Sequence, residues 1–122
     1  MDTDIDRFWD EADRLVAESS VVIDRPAGSS HPRFPDVVYP LDYGYLAGTT
    51  GGDGGGIDCW LGSLSERIVT AVILTIDISK RDAEVKLLIG CTEAEMQRAL
   101  TTHQIGSQAA LLYRRPFEGI GT

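Results

Sequence analysis

Gly48-Thr-Thr-Gly-Gly-Asp-Gly-Gly-Gly-Ile-Asp-Cys-Trp-Leu61 is the stretch on which the reading of this 122-residue chain turns. Six of its first nine residues are glycine, and the run passes directly into Ile57-Asp-Cys-Trp-Leu61, whose composition is that of a buried strand. Glycine lets backbone approach a ligand closely and take positive φ. Asp53 and Asp58 stand at the mouth of that strand, and carboxylates bring the hard oxygen donors that magnesium prefers. A glycine loop feeding a strand, with an acid on each side of the junction, points to a metal-phosphate site.

Strand signals continue on both sides of this junction. Val21 to Pro26 is a short β-branched run ended by proline, Ile68 to Ile76 is the longest β-branched run of the chain, and Ala83 to Cys91 and Gln108 to Arg115 complete a set of five. Residues 4 to 18 place Ile5, Phe8, Trp9, Ala12, Leu15 and Val16 at the spacing of one helical face, with Asp2 and Thr3 available as caps. Thr92-Glu-Ala-Glu95 has the capping-box pattern, and Met96, Ala99 and Leu100 give the following helix an apolar face until Gly106. Between Ala27 and Gly56, Pro32, Pro35, Pro40 and the glycines interrupt regular structure, which predicts a long site-forming loop. The pattern is α+β, mainly β, in one domain over residues 1–122, with a frayed tail over 116–122.

A net charge of −8 argues against a nucleic-acid partner and against an anionic membrane surface. The chain shows neither a signal sequence nor an apolar run long enough for a membrane span, so a cytoplasmic setting is expected. Cys59 and Cys91 are far apart in apolar surroundings and read as buried free thiols. The apolar stripe over residues 5 to 16 needs covering, by the chain itself or by a second copy in a homo-oligomer.

The acids recur at one offset: Asp53 with Asp58, and Asp77 with Asp82. Brought together by neighbouring hairpins they would select magnesium or manganese over zinc. With nineteen acids in the chain, spacing alone does not separate ligands from solvated loop acids. Asp82, Glu84 and Lys86 alternate onto one face of their strand, away from Ala83, Val85 and Leu87. Tyr39-Pro-Leu-Asp-Tyr-Gly-Tyr45 sets three phenols before the glycine loop; Tyr39 and Tyr45 read as packing, and Tyr43 equally as packing or as a phosphate donor. Arg33 and Lys86 are the cations placed to meet an anion, although Arg33 reads equally as solvated.

Four blocks in order, Val22-Ile-Asp-Arg-Pro26, Tyr39-Pro-Leu-Asp-Tyr-Gly-Tyr-Leu46, Asp53-Gly-Gly-Gly-Ile-Asp58 and Asp77 to Lys86, resemble those of the soluble family I inorganic pyrophosphatases. The resemblance implies a small OB-like β-barrel of about five strands, with an N-terminal helix and a helix before the last strand. It implies hydrolysis of pyrophosphate, or another phosphoanhydride, with Mg2+ (Mn2+ as an alternative) and a metal-bound water. It implies metal-ligand roles for Asp53, Asp58, Asp77 and Asp82, with Glu84 the alternative to Asp82 as second acid of the later pair. It implies a phosphate or leaving-group contact for Tyr43 and phosphate contacts for Lys86 and Arg33, with Asp24 near the site in place of a family glutamate. In the family's Asp-Gly-Asp-Pro-x-Asp loop the middle acid contacts the nucleophilic water; here that position is Gly55, and the proline is Gly56. The family's hairpin arginine has no match between Pro26 and Tyr39, and Tyr113-Arg114-Arg115 is the segment available in place of its C-terminal phosphate contacts. The sequence therefore leaves three readings open: a hydrolase, a catalytically silent domain that binds metal, phosphate or a protein partner, or a purely structural domain that oligomerises through its N-terminal helix.

Overall fold

The apolar spacing near the N-terminus produces helix α1 (Thr3–Ala17), in a computed structural model that describes residues 3–117. Trp9, Ala12 and Val16 are its buried residues, whereas Phe8 and Leu15, expected on the same packing face, remain 50% and 36% exposed. The helix is tied to the sheet through Asp13, which accepts from the Val69 backbone N–H at 2.9 Å and pairs with the Arg115 guanidinium at 2.8 Å. The cap expected at Asp2 and most of the tail expected to fray lie outside the described residues.

The chain continues through β1 (Val21–Arg25), β2 (Asp42–Leu46), β3 (Ile57–Leu61), β4 (Val69–Asp77), β5 (Asp82–Ile89), α2 (Glu93–Thr102) and β6 (Gln108–Arg114). The strands form one mixed sheet in the order β1-β2-β3-β5-β4-β6, antiparallel throughout except for the parallel β3-β5 pair. The sheet does not close, and β1 and β6 are its edges. The mainly β fold with a helix at the N-terminus and another before the last strand is thus the one expected, with six strands. The added strand is β2, inside the segment expected to be irregular. Its composition hides it: Pro40 precedes it, and Gly44 interrupts it because a Cβ there would lie 1.8 Å from the Val22 carbonyl oxygen of β1.

Alternation along the strands gives the sheet two differently covered faces. On one, α1 packs through Trp9, Ala12 and Val16 against Leu46, Cys59, Val69, Val72, Leu87 and Ile89. On the other, Met96 and Ala99 of α2 pack with Tyr39, Leu41, Trp60, Ala71, Ile73, Leu88 and Cys91. Fully burying one such aliphatic side chain contributes roughly 1.5–3 kcal/mol, so these two clusters hold the layers together. Helix α2 starts at the expected capping box, with Thr92 and Glu95 exchanging bonds, but ends at Thr102 with His103 as its C-cap, earlier than Gly106. The cysteines are free and buried, and burial pushes both thiols up to about 12.

Candidate active site

The site lies on the α2 side of the sheet, where the packed core gives way to polar side chains. Register sets Tyr43 opposite Trp60 and Asp77 opposite Asp82, and the two-residue period brings Glu84 and Lys86 onto the same face. A cleft of about 210 Å³ opens there, and its walls include Arg33, Tyr43, Asp53, Asp58, Asp77, Asp82, Glu84 and Lys86. Every one of the eight residues singled out from the sequence as a ligand, catalytic group or substrate contact thus reaches one cavity.

At its floor Lys86, 4% exposed, places its ammonium 2.7 Å from Asp58 Oδ2 and in a second ion pair with Glu84. The Tyr43 hydroxyl donates to the same Asp58 oxygen at 2.7 Å. Burial opposes the charge on Lys86, but the two carboxylates more than offset it and hold its pKa above the ordinary lysine value. Burial and the adjacent Asp58 charge push the Tyr43 phenol up, so it stays a donor. Its ring packs edge-on against Trp60 at 4.6 Å, which fixes the direction of the hydroxyl.

The glycine loop brings Asp53 to the same wall. Gly52 sits so close to β5 that a Cβ would meet the Ala83 carbonyl oxygen at 2.3 Å, and Gly54 has φ +88°, so these two positions require glycine. Asp53 accepts from the Gly55 N–H at 2.9 Å, which lowers its pKa. Gly55 itself is not sterically required, since the nearest atom to a Cβ there is Asp53 Oδ1 at 3.3 Å. The recurring offset of the later acids is a hairpin: Asp77 and Asp82 close the β4-β5 turn, with Arg81 at φ 57°. Asp77 Oδ1 accepts from the hydroxyls of Ser107 and Ser79 and from the Ser79 and Lys80 N–H groups, which holds its carboxyl down at about 2. Asp77 therefore ties the turn to β6 as well as lining the cleft. Among the described residues, no three His, Cys, Asp or Glu side chains form a group that could hold a metal ion.

Asp24 is not part of this arrangement. It occupies the irregularity between Ile23 and Arg25 in the β1-β2 pairing, is exposed, and does not line the cleft. Nor does the Tyr113-Arg114-Arg115 segment line the cleft: Arg114 pairs with Glu93, Arg115 with Asp13, and Tyr113 stacks on Trp9 at 6.2 Å on the α1 side. Two histidines absent from the sequence expectations do reach the cleft. His103, 8% exposed, accepts from the Trp60 indole N–H at 3.0 Å through Nε2 and meets Gln108 Oε1 at 2.9 Å through Nδ1, so Nδ1 carries the proton. Burial, and then the Lys86 charge, lower it to about 4. His31 stacks on Tyr39 at the mouth. No local sequence pattern flags either histidine, because both reach the cleft through long-range packing.

The arrangement of the six strands and two helices is similar to that of solved bacterial inorganic pyrophosphatases. The solved structures similar to it include the inorganic pyrophosphatase of Neisseria gonorrhoeae, with TM-score 0.58, 17% identity, and 78% of this chain and 81% of that one covered. That of Coxiella burnetii gives TM-score 0.56 at 12% identity over 77% of this chain and 82% of the other. That of Helicobacter pylori gives 0.54 at 15% identity over 80% and 86%. No protein-family model and no curated protein matches the sequence. Among the described residues, no helix is long and apolar enough to cross a membrane.

Proposed function

We propose that the chain is a metal-dependent phosphoanhydride hydrolase that splits inorganic pyrophosphate into two phosphates. The observation that carries this reading is the convergence of Arg33, Tyr43, Asp53, Asp58, Asp77, Asp82, Glu84 and Lys86 on one cleft in a pyrophosphatase-like fold. Magnesium or manganese suits the donor set, whose acids offer only hard oxygens. The set does not suit a metal cage built by protein alone, because Lys86 bridges Asp58 and Glu84. Magnesium is commonly held by one or two carboxylates together with substrate phosphates and water, so Asp53 and Asp82, which Lys86 does not engage, would hold it with the phosphoanhydride. When bound, it would neutralise phosphate charge and acidify a coordinated water.

The chain's own groups then have defined tasks. Tyr43 and Lys86 both use Asp58 Oδ2, which leaves Oδ1 to accept from the attacking water. The water oxygen bonds to one phosphorus, the bridging P–O bond breaks, and the water's proton passes to Asp58. Arg33 offsets the charge that builds on the departing phosphate, and Lys86 the charge on the phosphoryl group under attack. Phosphate release from pyrophosphate, dependent on magnesium and collapsing in Asp58→Ala, tests the reading; no release above blank with magnesium or manganese defeats it.

Gly55, in place of the middle acid, favours a second reading: a silent domain that binds phosphoanhydride without turnover. Calorimetric binding of pyrophosphate with no phosphate released would select it.

A homo-oligomer is part of the same proposal. Leu74, Val85 and Leu111 lie in one cross-strand row of the α1-side face, and with Ile76, Tyr113, Phe8 and Leu15 they leave seven large apolar side chains 36–70% exposed. A standard interface buries roughly 800 Å² per partner, and exposed apolar side chains grouped on one face are what such an interface covers. It carries no charge along that row, so two chains of net charge −8 can meet there with the least repulsion. A second copy covering it would leave the cleft, on the opposite face, open to substrate.

A further inference from the structure

The basic groups around the cleft divide into two kinds. Lys86, at the floor, is neutralised by two carboxylates. Arg33 and Lys80 line the mouth with exposed side chains, and among the described residues neither makes an ion pair. Acids outnumber Lys and Arg 19 to 11 in this chain, so two unneutralised cations beside an acid-lined cavity are not a matter of average composition.

His31 shares the cleft wall with them and is held by ring contacts and hydrogen bonds. Its ring stacks on Tyr39 at 6.0 Å with planes 5° apart and meets Phe34 at 5.2 Å. Its Nδ1 accepts from the backbone N–H groups of Arg33 at 3.0 Å and Phe34 at 3.2 Å. An Nδ1 that accepts twice cannot also carry the proton of the neutral ring, so Nε2–H is a fixed donor. Burial lowers the pKa of His31, and the charges of Arg25, Lys80 and Arg33 lower it further, which shows how closely cationic groups gather around the ring.

We propose that His31 and Lys80, together with Arg33, form an anion subsite at the mouth of the cleft that takes the terminal phosphoryl group of a di- or oligophosphate. The inference rests on the hydrolase reading and deepens it: the substrate spans the cavity, one phosphoryl group against the Asp58 and Glu84 floor and the other against the cationic mouth. Basic groups at the mouth supply charge that the acid floor cannot. His31 adds direction, because a fixed N–H donor distinguishes an oxyanion at one position from bulk anion attraction.

Calorimetry with magnesium and imidodiphosphate, a pyrophosphate analogue that is not turned over, tests the subsite at two salt concentrations. Lys80→Ala removes an exposed turn cation. His31→Asn keeps an acceptor at the Nδ1 position for the Arg33 and Phe34 N–H groups while losing the Nε2–H donor. Arg98→Ala, on the exposed side of α2 away from the cleft, is the control. Each subsite variant is expected to weaken binding about 5- to 10-fold, and Lys80→Ala to flatten the salt dependence, with Arg98→Ala unchanged. Dissociation constants within twofold of wild type for Lys80→Ala, while the wild type binds imidodiphosphate and hydrolyses pyrophosphate, would overturn the subsite and leave the hydrolase standing. Should His31→Asn fail to fold, Lys80→Ala decides alone. A wild-type protein that neither binds imidodiphosphate nor releases phosphate would overturn the hydrolase reading and the subsite with it.

Discussion

Replacing Lys86 by Met keeps the length of the side chain and removes the one cation that lies between Asp58 and Glu84. Lys86 is 5% exposed as a side chain, Glu84 12% and Asp58 25%, so the cluster is mostly shielded from water but not sealed. Breaking a fully buried pair from one side costs about 3–5 kcal/mol; partial access for Asp58 lowers the expectation to roughly 2–3 kcal/mol. For a domain of this size that is a fall in Tm on the order of 10 °C. The substitution also leaves two carboxylates facing a gap where a cation had been, so magnesium should bind there in the variant and recover part of the loss. Thermal unfolding followed by circular dichroism, with and without magnesium, reads both effects. The wild type should show the smaller magnesium shift, because its own ammonium holds the position. A Lys86→Met protein with an unchanged Tm, or one that loses stability and gains nothing more from magnesium than the wild type, would refute the reasoning.

Gly55→Asp should fold with a Tm within a few degrees of wild type, since a Cβ there meets only Asp53, and should raise kcat about 100-fold if the absent acid limits the rate; an unchanged kcat excludes that limit. His103 is held neutral, with a folded pKa of about 4 against an ordinary 6.5, so the unfolded chain takes up its proton first as pH falls. Its contribution is complete above about pH 6.5 and is lost toward pH 4, by roughly 3 kcal/mol at most, with His31 acting in the same sense. Urea unfolding across that range should show the slope, and His103→Gln should flatten it; an identical slope in the variant would assign it elsewhere. Leu111→Glu, 70% exposed on the α1-side face, should convert a self-associated species to monomer in sedimentation velocity without changing the fold; a monomeric wild type at high concentration contradicts the second copy.

The elements that local pattern specifies were legible in the sequence. Helix α1 follows from a 3.6-residue stripe, α2 from its Thr92-Glu95 capping box, and β4 and β5 from long β-branched and alternating runs that also set Asp82, Glu84 and Lys86 on one face. β2 was not legible, because Gly44 is demanded by the close approach of β1, a tertiary constraint that reads locally as a break. The histidines of the cleft were hidden for the same reason: His103 meets Trp60 across 43 residues of sequence, and His31 owes its definition to stacking on Tyr39. Asp24 falls at the irregularity of the β1-β2 register, which the block order could not show. The cleft acids were singled out by the block order of the resemblance, since spacing alone did not separate them from solvated loop acids, and the sequence could not show that Lys86 stands between two of them.

The most direct test of the account is release of phosphate from pyrophosphate by the purified protein, measured with and without magnesium in the wild type and in Asp58→Asn. The account predicts turnover that requires the metal and falls at least about 100-fold in the variant, where the base is gone but the Tyr43 and Lys86 side chains remain. Equal release by the two proteins, or none above blank by the wild type, would contradict it.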